Sequence, residues 1–255
     1  MIFDTHAHYD DKQFDPDRDV LLRSMHDRNV GWIVNVGSTL SGCRDSVALA
    51  EQYDFIYAAV GVHPDEVGSL TEEFLAWIYE TARTNPRVVA IGEIGLDYYW
   101  DTEPREIQKQ WFIRQMDLAR ELELPIAIHS REAAQDTFDL IREYGSGIPG
   151  IIHCYSYSAE MAREYVKLGY YIGLGGVVTF KNAKKAKETA AQIPLEHIVL
   201  ETDCPYMAPV PYRGKRNSSD LIDYVAAEIA EIKGVSKEDV IGQTTANAKA
   251  LFGVE

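Results

Sequence analysis

Short apolar runs alternate with longer amphipathic stretches along the whole chain. The apolar runs fall at residues 2–6, 31–36, 55–61, 88–93, 125–129, 150–154, 170–174 and 197–202. Their brevity and their richness in Ile and Val mark them as buried parallel strands. Stretches near 16–29, 42–53, 71–84, 104–122, 131–144, 158–168, 182–191 and 218–233 follow them with helical spacing. Eight strand–helix pairs close an α/β barrel of the TIM (β/α)8 kind, and 255 residues suit one such barrel of about 250. An extra C-terminal helix is expected to run from Ser236, whose hydroxyl can cap it with Glu238 and Asp239 in the first turn, to Leu251. No interior stretch is rich enough in Gly, Ser or Pro to be a linker, so residues 1–255 are expected to form one domain.

Candidate chemistry sits where the apolar runs end. His6 and His8, Glu93, His129, His153 and Asp203 close the runs IFDTHAH, VVAIGEIG, PIAIHS, GIIHC and HIVLETD. In a parallel barrel the C-terminal ends of all strands open onto one mouth, so these six side chains are expected to converge there. Four imidazoles and two carboxylates can hold two divalent ions with positions left open for water and substrate, which predicts a metal-dependent hydrolase. Alternation along a strand lets His6 and His8 reach one ion, with Asp4 on the same face to orient an imidazole. Glu93, flanked by Gly92 and Gly95, has two oxygens and is the expected bridge between two cations. Asp203 is expected both to bind an ion and to act as general base. Glu201, two residues earlier, is expected to face the same way, as a base acting from behind a ligand, a ligand for a further cation or a buried carboxylate with a basic neighbour. His63, in GVHP, faces the mouth without a partner ligand, which suits substrate contact or leaving-group protonation. His26 and His197 fall at the wrong end of the barrel and are expected to be structural.

The formal net charge is −15, which argues against a general-purpose nucleic-acid binder. It does not exclude a nuclease, because two divalent ions with Glu93 and Asp203 ionised would leave the site at about +2. Basic residues are grouped locally: Lys181, Lys184, Lys185 and Lys187 in one stretch, Arg213, Lys215 and Arg216 in another. The second group belongs to the loop CPYMAPVPYRGKRNS, which follows the eighth strand and so overhangs the mouth. Tyr98, Tyr99, Tyr155 and Tyr206 are expected near that mouth, where they could stack on unpaired bases or pack the rim. Three cysteines, Cys43, Cys154 and Cys204, make neither a disulfide framework nor a zinc ribbon. Cys154 and Cys204, each next to a proposed ligand, are expected to point away from it into the core. With no signal-peptide pattern at Met1, a reducing cytoplasm is the simplest compartment.

The motifs DTHAH, GVHP, GEIGLDYY, PIAIHSR, IHCYS, GGVVTFKNAK and ETDCPYMAP followed by RGKRN resemble, in order, those of the TatD family of metal-dependent deoxyribonucleases. They run from residue 4 to residue 217, nearly the whole chain. The resemblance implies a TIM barrel that hydrolyses phosphodiester bonds in DNA with two divalent ions, Mg²⁺ first, Mn²⁺ or Zn²⁺ as alternatives. It implies 3′-to-5′ exonuclease action preferring single-stranded ends; the sequence itself shows no sign of an obligate protein partner. His6 and His8 are implied to bind one ion with Glu93 and Asp203, while Glu93, His129 and His153 bind the second. His63 is implied to touch the scissile phosphate, and Arg216 and Asn217 to lie near the substrate strand. Arg213, Lys181, Tyr98 and Tyr155 complete the expected substrate contacts. Two positions depart from the family pattern: Asn217-Ser218-Ser219 where Asn-Glu-Pro is common, and Gly173-Leu174-Gly175 where a small polar residue is common. Relatives of the wider group bridge their metals with a carboxylated lysine near the end of the fourth strand, whereas AIGEIGLDYYW has no lysine there. Two other functions compete: a metal-dependent esterase or deacylase acting on D-aminoacyl-tRNA or a small phosphoester, and a non-catalytic metal-binding protein, which predicts a missing ligand.

Overall fold

The computed structural model describes residues 1–255. Eight strands form one parallel sheet in sequential order: β1 (Ile2–Ala7), β2 (Val30–Val36), β3 (Ile56–Val60), β4 (Val88–Asp97), β5 (Ile126–Arg131), β6 (Gly150–Ile152), β7 (Tyr170–Leu174) and β8 (Ile198–Leu200). The helices are α1 (Arg18–Arg23), α2 (Leu40–Gln52), α3 (Glu72–Thr84), α4 (Arg105–Leu122), α5 (Ala134–Tyr144), α6 (Ala159–Lys167), α7 (Lys184–Gln192), α8 (Ile222–Lys233) and α9 (Lys237–Phe252). The ring closes just beyond the last strand. Asp203 N–H donates to the His6 carbonyl and His8 N–H to the Cys204 carbonyl, both at 2.9 Å. This is the expected TIM barrel, with α9 as the extra helix. Ser236 caps α9 in a reciprocal box with Asp239, satisfying amides that the helix itself cannot pair.

Two apolar clusters separate the layers. The larger joins strands to the surrounding helices. The smaller takes Phe3, Val34, Val89, Ile151 and Val199 from strands around the ring, together with Leu251 and Phe252. Strands so far apart can meet only inside the barrel, so these side chains fill its interior and the last turn of α9 closes that end. The opposite end is left to polar side chains.

Three local departures from the expected pattern stand out, the last two at the site. The first helix stops at Arg23, where the Ser24 hydroxyl donates to the Leu21 carbonyl, and only a single turn follows at His26–Arg28. β4 does not end at Glu93 but continues, wholly buried, to Asp97. β1 shifts register against β2 between Asp4 and Ala7, which breaks the simple alternation of its side chains.

Candidate metal centre

The polar end of the barrel encloses a cavity of about 840 Å³, and His8, His63, Glu93, His129, His153 and Asp203 all line it. His6, which is buried, stands directly behind, its ring stacked on His153 at 3.8 Å between centroids. The strand ends therefore bring together every imidazole and carboxylate expected to bind metal. Glu93 lies at the centre. Its Oε2 faces His6 Nε2 at 3.5 Å and His8 Nε2 at 3.7 Å. Its Oε1 faces His129 Nδ1 at 2.9 Å and His153 Nε2 at 3.1 Å. One carboxylate thus addresses two separate sets of nitrogens.

The first set has the dimensions of a metal cage. His6 Nε2 and His8 Nε2 are 3.1 Å apart, and Asp203 Oδ1 lies 3.9 Å and 3.4 Å from them. Four ligands about 2.1 Å from a zinc-sized ion form a tetrahedron with edges of about 3.4 Å, so these separations fit. His8 Nδ1 donates to the Val36 carbonyl at 2.8 Å, which leaves the Nε2 lone pair of the neutral ring facing the other ligands.

The charge balance points the same way. Burial works to raise the Glu93 carboxyl, yet His153, His63 and His129 outweigh it and hold Glu93 well below the usual carboxylate range. Burial works against charge on His8, but Asp203 and Glu93 lift it to about 9. His153 is likewise lifted by Glu93 and Glu201 against the effect of its burial. Buried carboxylates here draw positive charge onto imidazoles, and no lysine or arginine forms an ion pair with Glu93 or Asp203. Divalent cations fit such a donor set.

His63 stands across the cavity, with Nε2 3.8 Å from Glu93 Oε1. Its Nδ1 accepts the Asp65 backbone N–H at 3.2 Å, which places the proton of the neutral ring on Nε2. Burial and the nearby His129 push its pKa down to about 3. It is a neutral donor at ordinary pH, which suits contact with an oxygen rather than leaving-group protonation.

Several expected residues turn elsewhere. Asp4 orients no imidazole. After the register shift its carboxylate accepts from the His6 and Thr202 backbone N–H groups and the Thr202 and Ser219 hydroxyls. Glu201 does not line the cavity, because β8 stops at Leu200 and Asp203 takes a left-handed φ of 57°, which ends the alternation; of its expected roles the structure shows the buried carboxylate with a basic neighbour. Glu201 instead stays buried behind His153, with Oε1 3.7 Å from Nδ1 and accepting the Cys154 backbone N–H. A Cβ at Gly173 would come within 2.4 Å of Glu201 Oε2, so the glycine makes room for this carboxylate. Cys154 is no core thiol. Its own left-handed φ of 46° turns it to the cavity wall, where Sγ lies 3.8 Å from Met207 Sδ. Cys204 is buried as expected.

The expected substrate contacts divide in the same way. The Tyr98 hydroxyl donates to Asp136 at 2.7 Å and Arg105 covers its ring, so it is engaged away from the cavity. Tyr155 lines the cavity with its ring, and its hydroxyl donates to the Ser158 carbonyl at 2.6 Å. Arg216 is bound to both oxygens of Asp17 at 2.7 Å and stacks on Phe14. Asn217 is fully buried and donates to the Thr202 and Tyr206 carbonyls, bracing the loop after β8 from within. Lys181 is exposed and lines neither this cavity nor the smaller one beside it. Arg213 lines that smaller cavity.

Two residues join the site without having been expected. Asp97 Oδ2 is 3.0 Å from His129 Nε2, and its Oδ1 accepts the Tyr99 and Trp100 N–H groups. Arg131, at the end of β5, is the one lysine or arginine lining the main cavity; Tyr99 lies under its guanidinium at 3.9 Å. Both follow strand-end motifs by two or four residues, so carrying the strands further and keeping period two would have found them. Gly95, between Glu93 and Asp97, has φ 146°, and a Cβ there would strike the His129 carbonyl at 1.9 Å. Only glycine permits the close pairing of β4 and β5 that brings His129 to Glu93.

A parallel barrel whose C-terminal mouth carries buried imidazoles around a shared carboxylate is the frame of a metal-dependent hydrolase. Comparison with known proteins narrows this. A family profile described as TatD related DNase matches residues 3–253. The metal-dependent hydrolase YabD of Bacillus subtilis (strain 168) is 46% identical over 255 residues, covering 100% of both chains. The metal-dependent hydrolase YcfH of Escherichia coli (strain K12) is 34% identical over 261 residues, covering 100% of this chain and 97% of its own. The crystal structure of YjjV, a TatD homolog from Escherichia coli K12, superposes with a TM-score of 0.93 at 30% identity, covering 100% of this chain and 98% of that one. The chain belongs to the TatD-related DNase family and is a metal-dependent hydrolase of the TatD type. No helix is long and apolar enough to cross a membrane.

Proposed function

We propose that the protein hydrolyses phosphodiester bonds in DNA from the 3′ end, preferring single strands, with two divalent ions, Mg²⁺ first among them. The observation that carries the reading is the division of Glu93, with one oxygen toward His6 and His8, which Asp203 also faces, and the other toward His129 and His153. His6, His8, Glu93 and Asp203 would hold one ion; Glu93, His129 and His153 the other. Bound there, the cations supply activation of water and neutralisation of phosphoryl charge.

The side chains do the rest. Burial works to raise the Asp203 carboxyl, but His8 and His153 keep it below the usual range, so it is ionised at neutral pH and ready to accept a proton from the attacking water. Its side chain is 16% exposed at the cavity wall, within reach of water. His63 donates from Nε2 to a phosphoryl oxygen, and Arg131, over the Tyr99 ring, offers a second, charged donor. Nothing in the cavity presents a lysine that could be carboxylated as a bridge.

The test is end-labelled single-stranded DNA incubated with chelator-stripped protein, then with Mg²⁺, Mn²⁺ or Zn²⁺ restored. A metal-dependent ladder that shortens from the 3′ end, absent with Asp203→Asn, is the expected result. An intact strand under every metal, with hydrolysis of a small phosphoester or a D-aminoacyl-tRNA instead, overturns it.

A further inference from the structure

Beside the metal centre lies a second cavity of about 360 Å³. It is within the range of ligand sites, about 300–1,000 Å³. Its lining is unlike the rest of the molecule. The chain carries 40 acidic and 25 basic residues, yet this cavity is lined by Arg213, Lys215 and Arg216 and by no carboxylate. Arg216 is already neutralised by Asp17. Arg213 and Lys215 are exposed, and neither has a carboxylate within ion-pair distance; the Arg213 guanidinium carbon lies over the Phe180 ring, 4.6 Å from its centre. Two free cations in a strongly acidic protein mark a place for an anion.

The two cavities share a rim. Tyr206 and Met207 line both. Tyr206 is 51% exposed, and its hydroxyl is tethered to Asp11 at 2.9 Å, so an open aromatic face is held at the passage from one to the other. A face for a base, followed by cations for phosphates, is the alternation that single-stranded nucleic acid requires.

We propose that this second cavity is a subsite for single-stranded nucleic acid, in which Arg213 and Lys215 bind backbone phosphates of nucleotides next to the cleaved one and Tyr206 stacks on a base at the rim. The inference rests on the nuclease reading and deepens it: the preferred substrate is a strand several nucleotides long, and the subsite contributes affinity rather than chemistry.

The experiment compares the wild-type chain with Arg213→Ala/Lys215→Ala on a ten-nucleotide single strand and on bis(p-nitrophenyl) phosphate, a diester too short to span both cavities. The double variant is expected to raise KM for the strand at least tenfold more than for the short diester, with little change in turnover number on the strand. Binding of the labelled strand in an Asp203→Asn background should lose about 1.4 from the slope of log affinity against log salt, at about 0.7 for each phosphate contact removed. Equal effects on both substrates, or an unchanged KM and salt slope in a protein that cleaves the strand, overturn the subsite and leave the nuclease standing. Wild-type protein that cleaves no strand at all overturns both.

Discussion

Asp97 holds His129 by its outer ring nitrogen, Oδ2 to Nε2 at 3.0 Å, and so turns the inner nitrogen onto Glu93. A histidine whose far N–H is fixed by a carboxylate presents a more basic and better-aimed lone pair. Asp97→Asn should therefore weaken binding at the Glu93–His129–His153 position by about 10- to 100-fold and spare the position on His6 and His8. Titration of stripped protein with Mn²⁺, followed by paramagnetic resonance, would show one weakened site of two. Two unaltered affinities would leave Asp97 with no part in the site.

Arg216 serves the fold. Its bidentate pairing with Asp17 is half-exposed, and its stack on Phe14 adds a cation–π contact. Such features contribute about 0.2–1 kcal/mol and 0.5–1 kcal/mol respectively. Arg216→Ala should lower Tm by a few degrees, at about 2–4 °C per kcal/mol for a chain of similar size. A raised KM for DNA with an unshifted Tm would return Arg216 to the substrate.

Ser219 stands where the family pattern commonly has proline, and it is fully buried. Its hydroxyl donates to Asp4 at 2.7 Å and bonds Tyr9 at 2.8 Å, while its N–H donates to the Tyr9 hydroxyl at 2.9 Å. Ser219→Ala leaves buried groups short of partners at a cost of about 1–3 kcal/mol. Ser219→Pro also removes the N–H and should unfold at a lower temperature still. Melting curves in the order wild type, Ala, Pro test this; a proline variant as stable as wild type would sink it.

His63 gives stability a pH dependence. In the folded chain it stays neutral down to about pH 3, whereas the unfolded chain protonates it near 6.5. The unfolded state then binds more protons, so stability contributed by the neutral ring is present above pH 6.5 and is lost as pH falls toward 3. Urea denaturation in chelator should show wild type losing stability against His63→Gln as pH drops from 7 to 4. A difference constant across that window would mean that His63 is protonated in the fold.

The barrel, the order of its strands and the convergence of His6, His8, Glu93, His129, His153 and Asp203 were legible because they follow from strand periodicity and from where each apolar run stops. What stayed hidden depends on the backbone leaving that period. The register shift in β1 redirected Asp4, and left-handed residues at Cys154 and Asp203 turned one thiol outward and left Glu201 behind His153. β4 runs four residues past Glu93, where the apolar run stops, so Asp97 falls outside the strand that hydrophobicity marks. Arg216 and Asn217 find their partners across 199 and 15 positions respectively, which no local pattern reveals.

The seam where the ring closes sets a condition on synthesis. His6 and His8 are made well before Asp203, which completes their cluster and whose N–H bonds the His6 carbonyl. A nascent or truncated chain lacking the last strand can make neither the cluster nor the closure beneath it. The His6–His8–Asp203 cluster is therefore lost from any fragment cut between its members.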